Sequence, residues 1–329
     1  MSGVLVTGSS GHLGDALVRR LTGECRIVGL DLTPSYTTSH EGSVDDPELV
    51  AECMRDVSVV YHTATLHKPH VATHSRQQFV DTNISGTLTL LEAALRAGVN
   101  AFIFTSTTSA FGGNLKPPAG EPAAWITEQM PSVPKNIYGA TKTAAEDLCH
   151  LFQRRFGLPC LALRTSRFFP EEDDSREIRE SYEDANAKAN EYLHRRVDIA
   201  DIVDAHLLAA EKAPELDFER LIISATTPFL KEDLELLRRD APAVLKRRIP
   251  AFEAIYQELG WKMFPTLDRV YVNERARSIL GWRPKYSFET VLKALAEGRD
   301  PRSELARTVG SKGYHDQSFD EGPYPVETE

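Results

Sequence analysis

The chain has little cysteine: four residues in 329, namely Cys25, Cys53, Cys149 and Cys160. None belongs to a C-x-x-C pair, and their spacings fit neither a disulfide framework nor a zinc site. We therefore expect four reduced thiols, mostly buried in or beside core elements.

A long apolar run and an excess of positive charge are also missing. No apolar stretch approaches the length that spans a bilayer, and the N-terminal MSGVLVTGSS shows neither a basic leader nor a cleavage site. The formal net charge is -10, whereas nucleic-acid phosphates are bound by a basic excess. We expect a cytoplasmic protein that binds neither membranes nor nucleic acid.

Short apolar runs alternate with helical patterns through the first half of the chain. Strand patterns cover residues 4–7, 26–30, 57–61, 101–105 and 160–163. Helical patterns cover residues 13–21, 47–54, 76–97 and 137–156. This alternation predicts an α/β fold with a doubly wound parallel sheet of the Rossmann type.

A glycine-rich loop, TGSSGHLG, follows the first predicted strand and opens the first helix. Gly8 can make the tight turn, Gly11 lets a pyrophosphate approach the backbone, and Gly14 lets the helix pack on the sheet. The helix N-terminus attracts the anion. The loop residues expected to contact a dinucleotide are Gly8, Ser10, Gly11, His12, Leu13 and Gly14.

An acidic residue, Asp31, ends the second predicted strand. Its carboxylate can accept hydrogen bonds from both ribose hydroxyls and would repel a 2′-phosphate. No arginine follows at Leu32 or Thr33, so the predicted cofactor is NAD rather than NADP. A glycine-rich turn without a ligand is the alternative, and Asp31 argues against it.

The pattern of the chain changes near residue 169. Residues 171–193 are polar and helix-prone, residues 197–208 return to a helical pattern, and residues 220–223 fit one more strand. We predict an NAD-binding Rossmann domain over residues 1–168, with a returning segment near 195–225. A smaller C-terminal, mainly substrate-binding region is predicted over 169–305, and a polar tail over 306–329.

Tyr138 and Lys142 stand four residues apart on a predicted helix and share one face of it. A lysine ammonium stabilises a nearby phenolate, so we expect the pKa of Tyr138 to lie below the usual value of about 10. Such a tyrosine can exchange a proton with a substrate hydroxyl, and the lysine can hold the nicotinamide ribose. A surface pair on an ordinary helix is the alternative. The hydroxyl residues Ser106, Thr107 and Thr108, at a strand end, favour the catalytic interpretation.

These features together resemble the extended short-chain dehydrogenase/reductase family, in the NAD-dependent epimerase/dehydratase branch that includes the UDP-glucose 4-epimerases. The resemblance covers the chain to about residue 288. It depends on motifs in the family's order: TGSSGHLG, Asp31, VVYHTAT, TNISGTLTLLEAA, FTSTTSAFG, YGATK and LGWRPKYSFE.

The resemblance implies a role for each matching residue. Thr107 matches the catalytic Ser/Thr, Tyr138 the acid/base and Lys142 the ribose-binding lysine. Further cofactor contacts are expected at Leu32, Ser43, Val44, Thr63, Ala64, Thr65, Asn83 and Thr105. The family also implies a homodimer, packed through the helices around residues 88–97 and 144–156.

Three positions depart from the family pattern. Ser43 stands where an aspartate often meets the adenine. Thr108 and Ser109 replace the Asp-Glu pair of the 4,6-dehydratases, which argues against dehydratase chemistry. Arg167 stands where sugar-nucleotide enzymes often have an asparagine; it could bind a substrate phosphate or carboxylate. A salt bridge from Arg167 to the acidic residues that follow it is an equally open interpretation.

Four histidines crowd one segment: His62, His67, His70 and His74. No carboxylate pattern accompanies them, so we expect no metal. His67 borders the cleft and is expected to face the substrate, with an exposed loop histidine as the alternative. His206 lies in a helical pattern and is expected to be structural.

Three functions are compatible with these motifs. The first is an epimerase-like cycle on a sugar or sugar nucleotide, in which hydride passes to NAD and returns. The second is a dehydrogenase or reductase of a small sugar-derived or acidic alcohol, in which NADH leaves after one transfer. The third is a non-catalytic NAD sensor, which Tyr138 and Lys142 disfavour because a sensor needs neither.

Overall fold

The computed structural model describes residues 3–313, 315 and 319. Within these residues the centre is a parallel sheet of seven strands. They are β1 Gly3–Thr7, β2 Ile27–Asp31, β3 His40–Glu41, β4 Val57–His62, β5 Ala101–Thr107, β7 Cys160–Thr165 and β8 Glu219–Ile223. A separate parallel pair is formed by β6 Ala124–Ile126 and β9 Arg269–Tyr271.

Helices cover both faces of the large sheet and build the second half of the chain. Along the first half they are α1 His12–Leu21, α2 Pro47–Cys53, α3 Arg76–Val80, α4 Gly86–Ala97 and α5 Ile137–Phe156. The next are α6 Arg176–Ser181, α7 Asp184–Glu191, α8 Ile199–Lys212, α9 Leu234–Leu237, α10 Ala241–Arg248 and α11 Phe252–Leu259. The last are α12 Glu274–Leu280, α13 Phe288–Ala296 and α14 Glu304–Val309.

The sheet is buried on both faces. Leu17 of α1 and Ile202 of α8 belong to the core on one face, and Val50 of α2, Leu90 of α4 and Cys149 of α5 to the core on the other. A parallel strand covered on both sides is apolar along most of its length, as the run AFIF of β5 shows. The predicted α/β fold with a doubly wound parallel sheet is confirmed.

The strand order is β3-β2-β1-β4-β5-β7-β8. The order reverses between β1 and β4, because the chain leaves β1 toward one edge and returns to build toward the other. Ligands of such sheets bind at the carboxyl ends of the strands beside this reversal. The loops after β1, β4, β5 and β7 therefore meet along one edge.

A second core lies outside the large sheet, among helices α7, α9, α10, α11 and α13 with β9. Its centre includes Leu193, Phe229, Val270 and Phe288, all fully or almost fully buried. The polar segment 171–193 supplies part of it through α7, whose Ala187 and Ala189 face this core.

Several elements differ in extent from the sequence prediction. The long helix predicted over residues 76–97 is interrupted by a π-helical turn at Asp81–Ser85, where Asn83 is buried. The strand predicted over 101–105 continues through Thr107, and that over 160–163 continues to Thr165. Both extensions have polar residues that a hydrophobic pattern does not include, and the sheet register pairs Thr107 with Thr165.

The four cysteines are free, and Cys53, Cys149 and Cys160 are buried, as predicted. No helix among the described residues is long and apolar enough to cross a membrane. The predicted polar tail begins inside α14, whose Val309 is buried. Residues 314, 316–318 and 320–329 of that tail lie outside the described residues.

Candidate active site

The loop after β1 has the geometry expected of a dinucleotide-binding turn. Gly8 has a φ of +67°, and a Cβ there would lie 2.7 Å from the Ala64 nitrogen. A Cβ at Gly14 would overlap the carbonyl oxygen of Gly8. Gly11 precedes the first turn of α1, which has no side-chain cap. The uncapped amides at this helix N-terminus are the donors that a pyrophosphate requires.

Asp31 joins this loop to the end of β2. Its Oδ2 accepts a hydrogen bond from the Ser10 amide at 2.9 Å, and its Oδ1 accepts one from the Thr33 amide at 2.9 Å. Leu32 beside it is 66% exposed. Because each carboxylate oxygen keeps a further lone pair, Asp31 can still receive ribose hydroxyls.

The predicted adenine end lies next to β2. Ser43 is half-buried and Val44 is buried. A Cβ at Gly86 would lie 2.6 Å from the Val44 Cγ2, so α4 packs directly on this segment. Val44 is thus held in place by α4.

Asn83 fixes the loop after β4. Its Oδ1 accepts from the Leu66 amide at 2.9 Å and from the Thr65 hydroxyl at 3.0 Å. Its Nδ2 donates to the Leu66 carbonyl and to Thr141 of α5. The π-helical turn aims this amide inward, a common use of such turns at functional sites. Asn83 therefore positions the predicted cofactor loop and ties it to the helix of Tyr138.

The same loop is also tied to β1. The Thr63 hydroxyl donates to the Thr7 carbonyl at 2.7 Å, and the Ala64 amide donates to the Thr7 hydroxyl at 3.3 Å. Thr63 and Ala64 thus stand beside the glycine loop. That they and Thr65 contact the cofactor stays a prediction.

The predicted catalytic residues meet at the start of α5. Asn136 caps this helix by accepting from the Gly139 amide at 3.1 Å, so the helix begins one residue before Tyr138. Tyr138 lines the same cleft as Thr107 at the end of β5, and Thr107 acts to lower its pKa. Lys142 follows one turn later, and its Nζ lies 4.0 Å from the centroid of the Phe104 ring.

The pKa of Tyr138 is not lowered, although the sequence predicts that the nearby Lys142 lowers it. Burial raises the pKa of Tyr138 to about 12, although Thr107 acts in the opposite direction. Burial also lowers the pKa of Lys142 to about 7, and Glu146 opposes that shift. Removal from water disfavours the charged form of each group. The prediction that Lys142 lowers the tyrosine pKa is therefore wrong for the chain by itself.

The other hydroxyl residues of β5 have different neighbours. Thr105, predicted as a cofactor contact, lies 2.9 Å from His206 Nε2 on α8. His206 Nδ1 bonds the Ile202 carbonyl in its own helix, and its ring is fully buried. His206 is thus structural, as expected. Thr108 is buried in the wall of the central cleft.

A buried carboxylate, Glu146, stands one further turn along the face of Tyr138 and Lys142, and the sequence reasoning missed it. It accepts from Ser106 Oγ at 2.5 Å, from Arg164 Nε and Nη2 at 2.9 and 2.7 Å, and from Arg220 Nε at 2.8 Å. Burial opposes its charge, but the Arg164 contacts lower its pKa. The i+4 spacing after Lys142 is the signal that could have identified it.

A cleft with a volume of about 280 Å³ opens beside Tyr138. It brings together five predicted site residues: Thr107, Thr108, Tyr138, His67 and Arg167. The cleft lies at the carboxyl edge of the sheet, against β9 of the second core.

His67 is half-buried in the wall of this cleft rather than on an exposed loop. Its ring lies 5.6 Å from Phe169 and 4.7 Å from His70, measured between centroids. Burial lowers its pKa well below the usual value, with His70 adding to the effect. Among the described residues, no group of three or more His, Cys, Asp or Glu is placed to hold a metal ion.

Arg167 forms ion pairs with acidic residues, which was one of the two interpretations that the sequence allowed. Its Nη2 donates to the Glu172 carbonyl at 2.8 Å, and its guanidinium lies 3.5 Å from Asp174, 3.7 Å from Asp173 and 3.7 Å from Glu191. The acidic residues thus balance its charge, although Arg167 still lines the cleft.

Two cleft residues that carry no sequence motif have unused polar groups. Arg269 on β9 donates to the Tyr271 hydroxyl at 3.2 Å, and no carboxylate in the described chain pairs with it. The Ser166 hydroxyl is buried without a hydrogen-bond partner in the same wall. An unpaired buried hydroxyl costs free energy, so both groups are suited to a polar ligand.

These residues fit NAD. The uncapped start of α1, the space that Gly8 and Gly14 leave, and the carboxylate of Asp31 suit its pyrophosphate and ribose. Tyr138 and Lys142 stand where the nicotinamide half would reach the cleft.

Comparison with known proteins supports the same conclusion. The family model described as "NAD dependent epimerase/dehydratase family" matches residues 4–221. UDP-glucose 4-epimerase of Lactobacillus helveticus is 24% identical over 321 residues, 86% of this chain and 92% of that protein. A 3 beta-hydroxysteroid dehydrogenase/Delta 5→4-isomerase of Mycobacterium tuberculosis is 25% identical over 335 residues, 88% of each chain.

Solved structures match in the same way. A short-chain dehydrogenase/reductase superfamily protein from Agrobacterium tumefaciens, crystallised with bound NAD, is 25% identical and has a TM-score of 0.63. The match covers 93% of this chain and 99% of that one. Because the family model covers more than half of the chain, this chain belongs to the NAD-dependent epimerase/dehydratase family.

Proposed function

We propose that the protein moves a hydride at a secondary alcohol carbon of a UDP-sugar and returns it to the opposite face, as an epimerase does. The observation that carries this proposal is that Thr107 and Tyr138 line the same cleft, with Thr107 close enough to the phenol to lower its pKa. UDP-sugar enters the proposal from the names of relatives, of which the Lactobacillus helveticus enzyme is one.

Each residue has a task that its position suits. Thr107 holds the reacting oxygen by a hydrogen bond, and Tyr138 takes the hydroxyl proton and later gives it back. Lys142, one turn below, holds the nicotinamide ribose. NAD supplies the hydride acceptor and donor. The Thr107 and Tyr138 side chains are buried in the cleft wall, which keeps water from the reacting carbon.

The negative charge of the substrate diphosphate calls for a cationic side chain in the cleft, and the second half of the chain supplies one. Arg269 is the cleft arginine that no acidic residue of the described chain neutralises. A guanidinium binds a phosphate through two parallel hydrogen bonds. We assign the diphosphate of the substrate to Arg269 and Ser166, with Arg167 and His67 beside them. The region over residues 169–305 would then be the substrate-binding part that the sequence predicts.

The second candidate is a dehydrogenase that releases NADH, and the similarity to the Mycobacterium tuberculosis enzyme favours it. One assay separates the two functions. The purified protein is incubated with UDP-glucose and NAD, and both the sugar epimer and free NADH are quantified. An epimer without NADH supports the epimerase, and stoichiometric NADH supports the dehydrogenase. Absence of both products contradicts the UDP-glucose proposal.

Exposed apolar residues support a homodimer. Leu88 of α4 and Leu151 and Phe156 of α5 are 36%, 39% and 54% exposed. Exposed apolar side chains on packed helices are typical of association sites, and the family resemblance implies packing through these same helices.

A further inference from the structure

His62 is a buried histidine that belongs neither to the catalytic residues nor to the predicted cofactor contacts. It ends β4, the middle strand of the large sheet, and the residue is 1% exposed. The sheet register pairs it with Thr7 on β1 and with Phe104 on β5. His62 therefore stands between the strand that leads into the glycine loop and the strand that leads to Thr107.

Both ring nitrogens of His62 are hydrogen-bonded. Nδ1 lies 2.8 Å from the Thr7 hydroxyl oxygen, and Nε2 lies 2.9 Å from the Thr87 hydroxyl oxygen on α4. The Thr87 hydroxyl donates to the Asn83 carbonyl at 2.7 Å, so it accepts from the ring. Burial lowers the pKa of His62 well below its usual value, and the charge of Lys142 adds to the effect. The ring is therefore a neutral imidazole in which Nε2 carries the proton and Nδ1 accepts from Thr7.

The hydrogen-bonded residues on the two sides of the ring reach the two segments where NAD is expected to bind. Thr7 is the first residue of the glycine loop TGSSGHLG. On the other side, the side-chain amide of Asn83 donates to the Thr141 hydroxyl at 3.0 Å. Thr141 lies on α5 directly before Lys142, and it is 2% exposed. A buried path of hydrogen-bonded residues thus joins the glycine loop, through His62, to α5.

The ring of His62 also packs against the aromatic side chain that contacts Lys142. Its centroid lies 5.4 Å from that of Phe104 and 5.9 Å from that of Phe102. Lys142 Nζ lies 4.0 Å from the centroid of the same Phe104 ring. Because protein interiors are close-packed, a change in the position of the imidazole would shift Phe104 and the ammonium that rests on it.

We propose that His62 is a positioning residue for the cofactor, which holds the glycine loop and helix α5 at the separation that NAD spans. The pyrophosphate would bind at the glycine loop and the nicotinamide ribose at Lys142, so one dinucleotide has to touch both segments. The same ring supports both of them, because it bonds Thr7 and packs on Phe104. The inference goes beyond the proposed function, because it concerns the fit of the cofactor and holds for either candidate reaction.

The test compares the affinities of the protein for NAD and for ADP by isothermal titration calorimetry. ADP has the adenosine and the diphosphate but lacks the nicotinamide half, so it needs only the glycine loop and Asp31. His62→Phe removes both hydrogen bonds of the ring. It should weaken NAD binding about tenfold or more and ADP binding about threefold or less. His62→Gln keeps an acceptor for Thr7 and a donor for Thr87, and should recover most of the NAD affinity.

Tyr256→Phe is the matched control, since it removes a buried hydrogen bond to Asn190 in the second core, away from the cofactor segments. It should leave both affinities unchanged. Equal losses of NAD and ADP affinity in His62→Phe would show a general loss of structure and would overturn the proposal, as would an unchanged NAD affinity. If His62→Phe does not fold, as judged by circular dichroism, Thr87→Val breaks the path between the ring and Asn83, with the same expected difference between the two ligands.

A second measurement checks the hydrogen-bond directions. At pH 7 the nitrogen-15 spectrum of the histidine rings should contain a neutral imidazole with its proton on Nε2 that disappears in His62→Gln. A charged ring, or a proton on Nδ1, would contradict the proposed path. Neither measurement needs a sugar substrate, so failure of the proposed catalytic function leaves both results intact.

Discussion

At the scale of single residues, burial governs the pKa values of Tyr138, the proposed acid/base, and of Lys142, the proposed ribose-binding residue. Tyr138 is buried, and Lys142 is only 2% exposed with its ammonium against the Phe104 ring. The pKa of the phenol rises to about 12 and that of the ammonium falls to about 7. Lys142 therefore changes its charge close to neutral pH, where an exposed lysine would stay charged.

This shift predicts a pH dependence of stability. The folded pKa of Lys142 lies below its unfolded value of 10.5, so the unfolded chain binds more protons between about pH 7 and 10.5, and this group's contribution rises with pH there. Compared with Lys142→Met, the native protein should gain at most about 1.4 kcal/mol per pH unit over that window. Urea denaturation at several pH values measures the difference. A difference that does not vary with pH would contradict the assignment.

Arg269 should determine how tightly the substrate binds. In Arg269→Gln the loss of a charge-assisted hydrogen bond of about 1.5–3 kcal/mol should raise the KM for the UDP-sugar by about tenfold or more. The kcat should change little, because the residue contacts a part of the substrate that does not react. Arg239→Gln, at an exposed pair with Glu235, is the matched control. Equal KM values for both variants would exclude the diphosphate assignment.

At the scale of elements, local motifs were predictable and tertiary partners were not. Gly8 and Gly14 meet within one turn and the helix that it opens, and Asp31 ends the next strand of the same βαβ unit, so their pattern indicates their geometry. Glu146 bonds Ser106 of β5 and Arg220 of β8, and Arg269 pairs with Ala124 of β6. Hydrophobic patterns do not contain such long-range pairings. The ion pairs of Arg167 could be anticipated because its acidic partners Asp173 and Asp174 follow it closely in the sequence. The sequence could not decide between these ion pairs and a contact with the substrate.

The buried carboxylate of Glu146 should make a large contribution to the stability of helix α5 and its neighbouring strands. Glu146→Gln removes one partner of a buried ion pair with Arg164, so the protein should lose about 3–5 kcal/mol of unfolding free energy. Asp147 is the matched control: it follows Glu146 and also binds Arg220, but it is 69% exposed. Asp147→Asn should cost about 1 kcal/mol or less. Urea denaturation measures the free energy of unfolding of the two variants. Equal decreases in both would show that the buried Glu146 contacts contribute no more stability than the exposed Asp147 contact.

At the scale of the whole molecule, the second core completes the cleft. Its strand β9 brings Arg269 and Tyr271 to a wall whose other side is formed by β5, α5 and the loop after β7. The sequence predicted a substrate-binding region in this half, because the strand and helix alternation stops near residue 169. It could not predict β6 and β9, which are three residues each and pair across 145 positions, as Ala124 does with Arg269.

The exposed apolar surface of α4 and α5 predicts the oligomeric state. Phe156→Glu and Leu151→Glu should convert a dimer into a monomer in sedimentation velocity, because a charge cannot be buried unpaired in an apolar interface. Leu230→Glu, at a leucine that is 48% exposed elsewhere, should leave the dimer intact. A native protein that sediments as a monomer would refute the dimer.

The central claim is that Tyr138 serves a hydride transfer that is reversed on the same carbon. The most direct measurement uses UDP-glucose with deuterium on carbon 4 and follows the label by mass spectrometry in the native protein and in Tyr138→Phe. We predict that the product epimer keeps the deuterium at carbon 4, and that the variant turns over about 10²–10⁴-fold more slowly. Deuterium that appears in free NADH, or in water, or a variant as active as the native protein, would contradict the account.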